Sequence, residues 1–298
     1  MSNNIHYHSC PVCGAHSFSQ VLTVKDFTVS KETFAIHECA ACTLRFTQDV
    51  PDQNEIGRYY RSADYISHTN TSKGIINSLY QLVRKRTMTG KRKLVQKFTG
   101  RKKGQMLDVG SGIGTFAHEM KTAGWKVTGL EPDEGARTVA EQQYGMQLQD
   151  MEAFYQLGAN SFDAITLWHV LEHVHDLHPY VQQLKKVLKE EGRIFIAVPN
   201  YTSDDAAIYK EFWAAYDVPR HLYHFSPRAM KELMTKNGLK VQAYKPMWYD
   251  SFYISLLSSK YKSGRPHLVP SFWNGLRSNF SAWSDARKCS SVIYVVSK

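Results

Sequence analysis

No run in this sequence approaches the roughly 18 apolar residues that a membrane-spanning helix needs. The opening residues MSNNIHYHSC lack the charged-then-apolar order of a secretory leader. The expectation is a soluble, cytoplasmic chain, in which disulfides are the poorer explanation for any paired cysteines. Cysteine is scarce, at five in 298 residues, and with 43% apolar content the chain can bury a full core without cross-links. Acidic residues are missing from one whole stretch: between Tyr65 and Leu107 there are eleven Lys or Arg, from Lys73 through Lys103, and no Asp or Glu. The net charge of +10 is therefore local.

That stretch has two readings. It grips an acidic partner, such as a phosphate-bearing substrate, RNA or an anionic membrane surface, or it is a solvated helix face. Ile75, Ile76, Leu79, Leu82 and Val83, then Leu94, Val95 and Phe98, recur at helical spacing. That pattern would leave Arg84, Lys85, Lys91, Arg92 and Lys97 largely facing water, and the solvated face is the favoured reading.

Four of the five cysteines form two tight pairs, Cys10-Pro-Val-Cys13-Gly and Cys39-Ala-Ala-Cys42. Two such knuckles let four thiolates converge on one structural Zn²⁺, and four sulfur ligands leave no open position for catalysis. Between them, Ser19 to Val24 and Thr33 to His37 are β-branched and aromatic and predict the hairpin of a zinc ribbon. His6, His8, His16 and His37 lie nearby but are not needed, and Cys289 is expected simply to pack.

From about Gly104 strands and helices alternate, implying a parallel sheet with crossover helices. Gln105 to Val109 reads as a strand, followed by Gly110-Ser-Gly112-Ile-Gly114 and a helix from Phe116 to Ala123. Bare glycines let the backbone pass close to a ligand beside a helix N-terminus. A dinucleotide fingerprint would have its last glycine where this chain has Thr115, so the spacing favours a ligand without a pyrophosphate. The next strand, Lys126 to Leu130, ends in Glu131, a carboxylate placed to accept hydrogen bonds from two ribose hydroxyls.

Taken together, LDVGSGIG, GLEPD and FDAITLWHVLEHV resemble the class I S-adenosylmethionine-dependent methyltransferases over roughly residues 104–298. The resemblance implies that Asp108, Gly110, Ser111, Gly112 and Gly114 surround the methionine part of the cofactor. It further implies that Glu131 holds the ribose and that Asp150 and Met151 lie beside the adenine.

In that fold the reacting methyl group points toward the end of the fourth strand, here Phe162 to Leu167. The chain then continues Trp168-His169-Val-Leu-Glu172-His173. Methyl transfer asks for alignment and for removal of a proton from the acceptor, and histidine can take that proton. Sugar C-methyltransferases with an N-terminal four-cysteine zinc site resemble this arrangement and would make Glu172 and His173 the base apparatus. Ubiquinone-type O-methyltransferases resemble it too, and some place a metal on Glu-x-x-Glu-His. Here the first position is His169, and His169, Glu172 and His173 remain candidates for a divalent ion.

After the fifth strand, Arg193 to Val198, a long insertion ends in Asp217-Val-Pro219-Arg220-His221-Leu-Tyr223-His224-Phe225-Ser226-Pro227. It is similar to a motif of uncharacterised methyltransferases near the sugar and quinone enzymes. Arg220 is expected to grip an acceptor phosphate or carboxylate together with His224, and His221 to serve as a second base; the alternative is that these residues brace the loop. Leu239 to Tyr244 and Ser291 to Ser297 read as the sixth and seventh strands, the last antiparallel. Trp248 to Leu257, followed by Lys260, Lys262 and Arg265, reads as part of a packed helix pair, with a cover over a greasy substrate or a membrane contact as alternatives.

The expected architecture is α/β: a zinc ribbon over residues 1–47, a basic helical connector over 48–103, and a seven-stranded Rossmann-like domain over 104–298. Substrate-cap insertions are expected at about 199–226 and 246–290. The expected function is methyl transfer from S-adenosylmethionine to oxygen or carbon of a small polar acceptor, sugar-linked or quinone-like. Nucleic acid is a less favoured partner. The fourth strand lacks the Asn/Asp-Pro-Pro-aromatic turn used for exocyclic amines, and Cys289 is badly placed for pyrimidine carbon-5 chemistry. A non-catalytic, cofactor-binding scaffold is the remaining alternative.

Overall fold

The computed structural model describes residues 4–60 and 75–298, with side chains from residue 83 onward in the second stretch. The sequence-based expectations for Lys73 and for the Ile75, Ile76, Leu79 and Leu82 side chains lie outside the described residues.

At the front, β1 (Asn4–Ile5) will pair with a later short strand, and β2 (Phe18–Lys25) forms an antiparallel hairpin with β3 (Thr33–Cys39). Then β4 (Arg45–Thr47) adds to β3, and β5 (Val50–Pro51) closes on β1. Phe34, Ile36 and Cys39 point inward from β3 at alternate or near-alternate positions, as a half-buried strand requires.

The helix α1 (Ile75–Thr99) leads into the alternating domain. Its order is β6 (Gln105–Val109), α2 (Thr115–Thr122), β7 (Lys126–Leu130), α3 (Glu134–Tyr144), β8 (Phe162–Trp168), α4 (Leu177–Val187) and β9 (Leu188–Pro199). Short caps punctuate these units: Asp133 accepts from the Ala136 amide at 2.6 Å to start α3, and Gly145, with φ 59°, ends it. The first cap segment contains α5 (Asp204–Tyr209) and β10 (Tyr223–His224). Next comes α6 (Pro227–Lys236), with Ser226 as N-cap and Pro at its first position, and then β11 (Lys240–Pro246). The second cap segment holds α7 (Asp250–Ser263) and α8 (Leu268–Ser284) before β12 (Ser291–Ser297).

The main sheet has six strands in the order β11-β12-β9-β8-β6-β7. Strands β7, β6, β8 and β9 run parallel, whereas β12 is antiparallel to both neighbours and buried along its whole length. The expected count of seven strands is a correction: around Met146 to Leu148, where the third of them would lie, only a single parallel bridge, Leu130 to Gln149, is formed. The reason is length. Met146 and Leu148 are drawn into a small cluster with Ala117 and Ala140, and Asp150 already caps the next helical turn by accepting from the Glu152 amide.

The ribbon sheet is completed from far along the chain. β10 pairs with β4, Tyr223 opposite Phe46 and His224 opposite Arg45, giving the order β10-β4-β3-β2. One hydrophobic core runs through both parts, joining Cys39, Leu44 and Phe46 to Leu222, Tyr223, Leu167 and Leu171. Among the described residues no helix is long and apolar enough to cross a membrane.

Candidate active site

The four ribbon sulfurs converge. Cys10 Sγ lies 3.5 Å from Cys42 Sγ, Cys13 Sγ lies 3.5 Å from Cys39 Sγ, and all four are within 4.8 Å of one another. Metal–sulfur bonds of about 2.3 Å in a tetrahedron give edges just under 4 Å, so this donor set fits Zn²⁺. The two knuckles are built alike: the Gly14 amide donates to Cys10 O at 2.8 Å and the Thr43 amide to Cys39 O at 2.9 Å. Both residues sit at positive φ, 77° and 63°.

At the carboxyl end of β6 the chain turns back over itself. The Gly110 and Ser111 amides both donate to Leu130 O, at 2.8 and 2.9 Å, which ties the glycine turn to the end of β7. Gly110 has φ 68°, and a Cβ there would collide with Val170, so only glycine fits. Glu131 locks the same turn from the other side, accepting the Gly112 amide at 2.7 Å and the Asp133 amide at 3.1 Å. Each oxygen keeps a further lone pair. Burial raises the Glu131 carboxyl above its ordinary range, opposed by those two amides. Asp108 is 1% exposed, accepts from Thr166 Oγ1 at 2.6 Å, and is pushed up to about 6 by burial. Farther out, Asp150 accepts from Arg137 at 2.8 Å, and Arg137 also donates to Glu131 O at 2.6 Å, while Met151 is partly buried against the main core. Arg137 was not anticipated from the sequence.

The segment after β8 lies against this turn through Val170. His169, at φ 57°, places Nδ1 3.2 Å from Glu172 Oε1 and Nε2 2.9 Å from Asp250 Oδ2. Burial alone would lower its pKa, but the two carboxylates raise it to about 10. As an imidazolium with both nitrogens engaged, His169 has no lone pair for a proton or a metal, which corrects its expected roles as base and ligand.

The residues brought together instead are Glu172, His173 and His221, whose polar atoms lie within 4.8 Å of one another. His173 Nδ1 is 3.0 Å from Arg220 O, and Tyr60 Oη is equally close; His221 Nδ1 is 2.9 Å from Ala215 O. A ring nitrogen facing a carbonyl carries the proton, which leaves His173 Nε2 as the lone-pair nitrogen of that ring when it is neutral. Burial, with His221 beside it, pushes His173 down to about 4, so it is neutral near pH 7. Glu172 is fully buried, and its Oε2 has no hydrogen-bond partner among the described residues. The unpartnered Glu172 Oε2 and the two imidazoles thus form one small polar cluster.

The expected acceptor-gripping residues do not line this space. Arg220 is 1% exposed and spends its guanidinium on Asp217 (2.6 and 3.0 Å), Asp26 (3.0 Å), Thr28 Oγ1 (2.5 Å) and Tyr59 O (2.8 Å). It fastens the cap segment to the ribbon. His224 is buried in β10 with Nε2 3.1 Å from Thr47 Oγ1, and burial lowers its pKa well below the ordinary value. Both are bracing residues: Arg220 reaches the loop after β2 and Tyr59, and His224 is turned inward by the β10–β4 pairing.

The basic helix also departs from expectation. Lys85 and Lys97 are exposed, but Arg84 donates to Thr115 Oγ1 at 2.6 Å and Arg92 pairs with Glu119 at 2.8 Å. Lys91 is half-buried and turned inward. Its Nζ lies 4.1 Å from the centre of the Trp168 ring, and burial pushes its pKa down to about 8 against the pull of Asp250 and Asp108.

Comparison with known proteins follows the same lines. A family model described as "Methyltransferase domain" matches residues 81–244. The human mitochondrial ubiquinone biosynthesis O-methyltransferase is 30% identical over 165 residues, covering 50% of this chain and 44% of that protein. The Vibrio cholerae ubiquinone biosynthesis O-methyltransferase is 31% identical over 171 residues, covering 55% of this chain and 66% of that protein. The match thus spans less than half the length of the human relative. Among solved structures, magnesium protoporphyrin IX methyltransferase from Synechocystis PCC 6803, with bound S-adenosylhomocysteine, has a TM-score of 0.53 at 14% identity and covers 83% of this chain and 100% of that one. A Burkholderia thailandensis 1,6-didemethyltoxoflavin-N1-methyltransferase has a TM-score of 0.50 at 15% identity, covering 89% of this chain and 95% of that one. At those identities the likeness is one of fold.

Proposed function

Because the chain belongs to the class I S-adenosylmethionine-dependent methyltransferases, we propose that it methylates a hydroxyl oxygen on a small, quinone-like acceptor. The observation that carries this reading is the cluster of Glu172, His173 and His221 next to the glycine turn, in which His173 is neutral near pH 7 and Glu172 Oε2 is unpartnered. Such a set suits a substrate that arrives with a proton to give, which a phenolic hydroxyl does. The names of the relatives point to the same acceptor class.

S-adenosylmethionine, when bound, supplies an electrophilic methyl group. The turn Gly110 to Gly114 and Asp108 would hold its methionine part, with Lys91 the nearby cation for its carboxylate. Glu131 would use its free lone pairs on the ribose hydroxyls, and Asp150 and Met151 would flank the adenine. His173 would take the acceptor proton on Nε2, held in register by Arg220 O, while Glu172 favours the positive charge that develops on it and His221 opposes it. His169 would keep Glu172 in place by neutralising its other oxygen. The four ribbon cysteines would hold a structural Zn²⁺. The nucleic-acid alternative loses support because Arg84, Lys91 and Arg92 face the protein.

The test is turnover of S-adenosylmethionine on dihydroxybenzoate acceptors carrying an alkyl tail. His173→Ala should lower kcat by about 10²–10⁴ with cofactor affinity unchanged, and Glu131→Ala should weaken cofactor binding in calorimetry. Turnover only on a sugar-linked acceptor, or full activity in the His173 variant, would overturn the proposal.

A further inference from the structure

Helix α8 is inside out. It buries Ser271, Gly275, Ser278 and Ala282 and exposes Val269, Phe272, Trp273, Leu276, Phe280 and Trp283. The exposed set recurs in steps of three and four and forms one stripe along the helix. Ordinary surface helices show the opposite arrangement. The small inner face is itself well used: Ser278 Oγ donates to Asp205 Oδ1 at 2.7 Å, Ser271 Oγ to Ser255 O at 3.2 Å, and Gly275 lies against the Phe252 backbone. The helix is therefore fixed in this orientation. Phe280 and Trp283 are 80% and 84% exposed. The four aromatic side chains alone present on the order of 500 Å² of apolar surface, comparable with the largest patch on a typical monomer.

We propose that this face docks on an anionic lipid bilayer, with the stripe entering the headgroup boundary. Charge selects the occupant. Residues 251–284 contain no Asp or Glu, and Lys260 and Lys262 on α7, Arg265 in the turn between the helices and Arg277 on α8 are all exposed. Two copies meeting through this surface would oppose cations, since the flanking Asp204 and Asp285 are already engaged by Ser281 and Arg287. A bilayer with acidic headgroups satisfies both the apolar and the cationic side chains. The helix α7, paired with α8, begins at Asp250, whose carboxylate holds His169. Docking thus brings the acceptor site to the lipid surface, where an amphiphilic acceptor is concentrated. That last step rests on the quinone-like acceptor proposed above; the docking itself does not.

Full-length protein without acceptor or cofactor is sedimented with vesicles of phosphatidylcholine, with and without phosphatidylglycerol. Binding should be at least ~10-fold stronger to the anionic vesicles and should fall at least ~10-fold in F280S/W283S and in Arg277→Glu. Calorimetric cofactor affinity should match wild type in both variants, which excludes misfolding. Wild-type protein left in the supernatant, or variants that sediment like wild type, would overturn the proposal. So would a concentration-dependent dimer in analytical ultracentrifugation that F280S/W283S abolishes, since a second copy would then cover the face. Vesicle binding without turnover on phenolic acceptors sinks the acceptor reading and leaves the docking intact, and the reverse result does the opposite.

Discussion

Replacing Arg220 with methionine separates two roles for the same residue. As a substrate grip, Arg220→Met would raise KM and leave stability alone. As the fastener seen here, it should destabilise the fold. The guanidinium is 1% exposed and bonds Asp217, Asp26, Thr28 Oγ1 and Tyr59 O. Breaking a buried ion pair by removing one partner costs about 3–5 kcal/mol, because the other charge stays buried. Asp26 keeps the Thr28, Val29 and Ser30 amides and two hydroxyls as donors, so the loss belongs at the low end, about 3 kcal/mol. Urea unfolding followed by tryptophan fluorescence reads this directly, and Asp26→Asn in the same background gives the coupling. The sign of the pH dependence follows from Asp26. Burial raises its carboxyl, but Arg220 and the loop donors outweigh that and hold it below the usual carboxylate range. Its contribution is fully present above the unfolded value of about 4 and is lost as pH falls below it. The gap between wild type and variant should therefore be largest near neutral pH and narrow as acid protonates Asp26 in the variant, where Arg220 no longer opposes burial. A loss under about 1 kcal/mol, or a large rise in KM at unchanged stability, would refute the reasoning.

Three further outcomes follow from the site. Gly110→Ala should lower cofactor affinity at least ~10-fold, because its Cβ meets Val170 at positive φ; calorimetry checks it. Cys39→Ser should remove bound zinc, measured by metal analysis, and lower the thermal midpoint, since binding of a structural metal adds directly to folding free energy. His169 should remain protonated across pH 5–8, and an imidazole proton resonance with a midpoint near 6.5 would contradict the clamp formed by Glu172 and Asp250.

Much of the frame was legible because strands in a parallel sheet are short apolar runs. Gln105 to Val109, Lys126 to Leu130 and Ser291 to Ser297 read from the sequence coincide with the observed strands. The glycine turn was equally plain, since its conformations exclude other residues. What failed was orientation. Lys91 was placed in water on its charge, although it lies four residues before Val95 and seven before Phe98, on the same stripe, and that spacing was the available signal. Arg220 offered only Asp217, three residues earlier, because Asp26 and Tyr59 lie far away in the chain. Periodicity in α8 marks a stripe but does not say which face meets the protein, and small residues took the inner one.

The pairing of β10 with β4 also has a consequence for synthesis. The ribbon strands leave the ribosome before β10, and the outer edge of their sheet stays open until Tyr223 and His224 have been made. An unpaired strand edge invites association with other chains. Arg45, held by Glu38 at 2.7 Å, and the shortness of β4 protect that edge while the nascent chain waits for its partner. The ribbon is thus a half-finished sheet with a reserved place, and a chain cut before residue 223 would carry that open edge permanently.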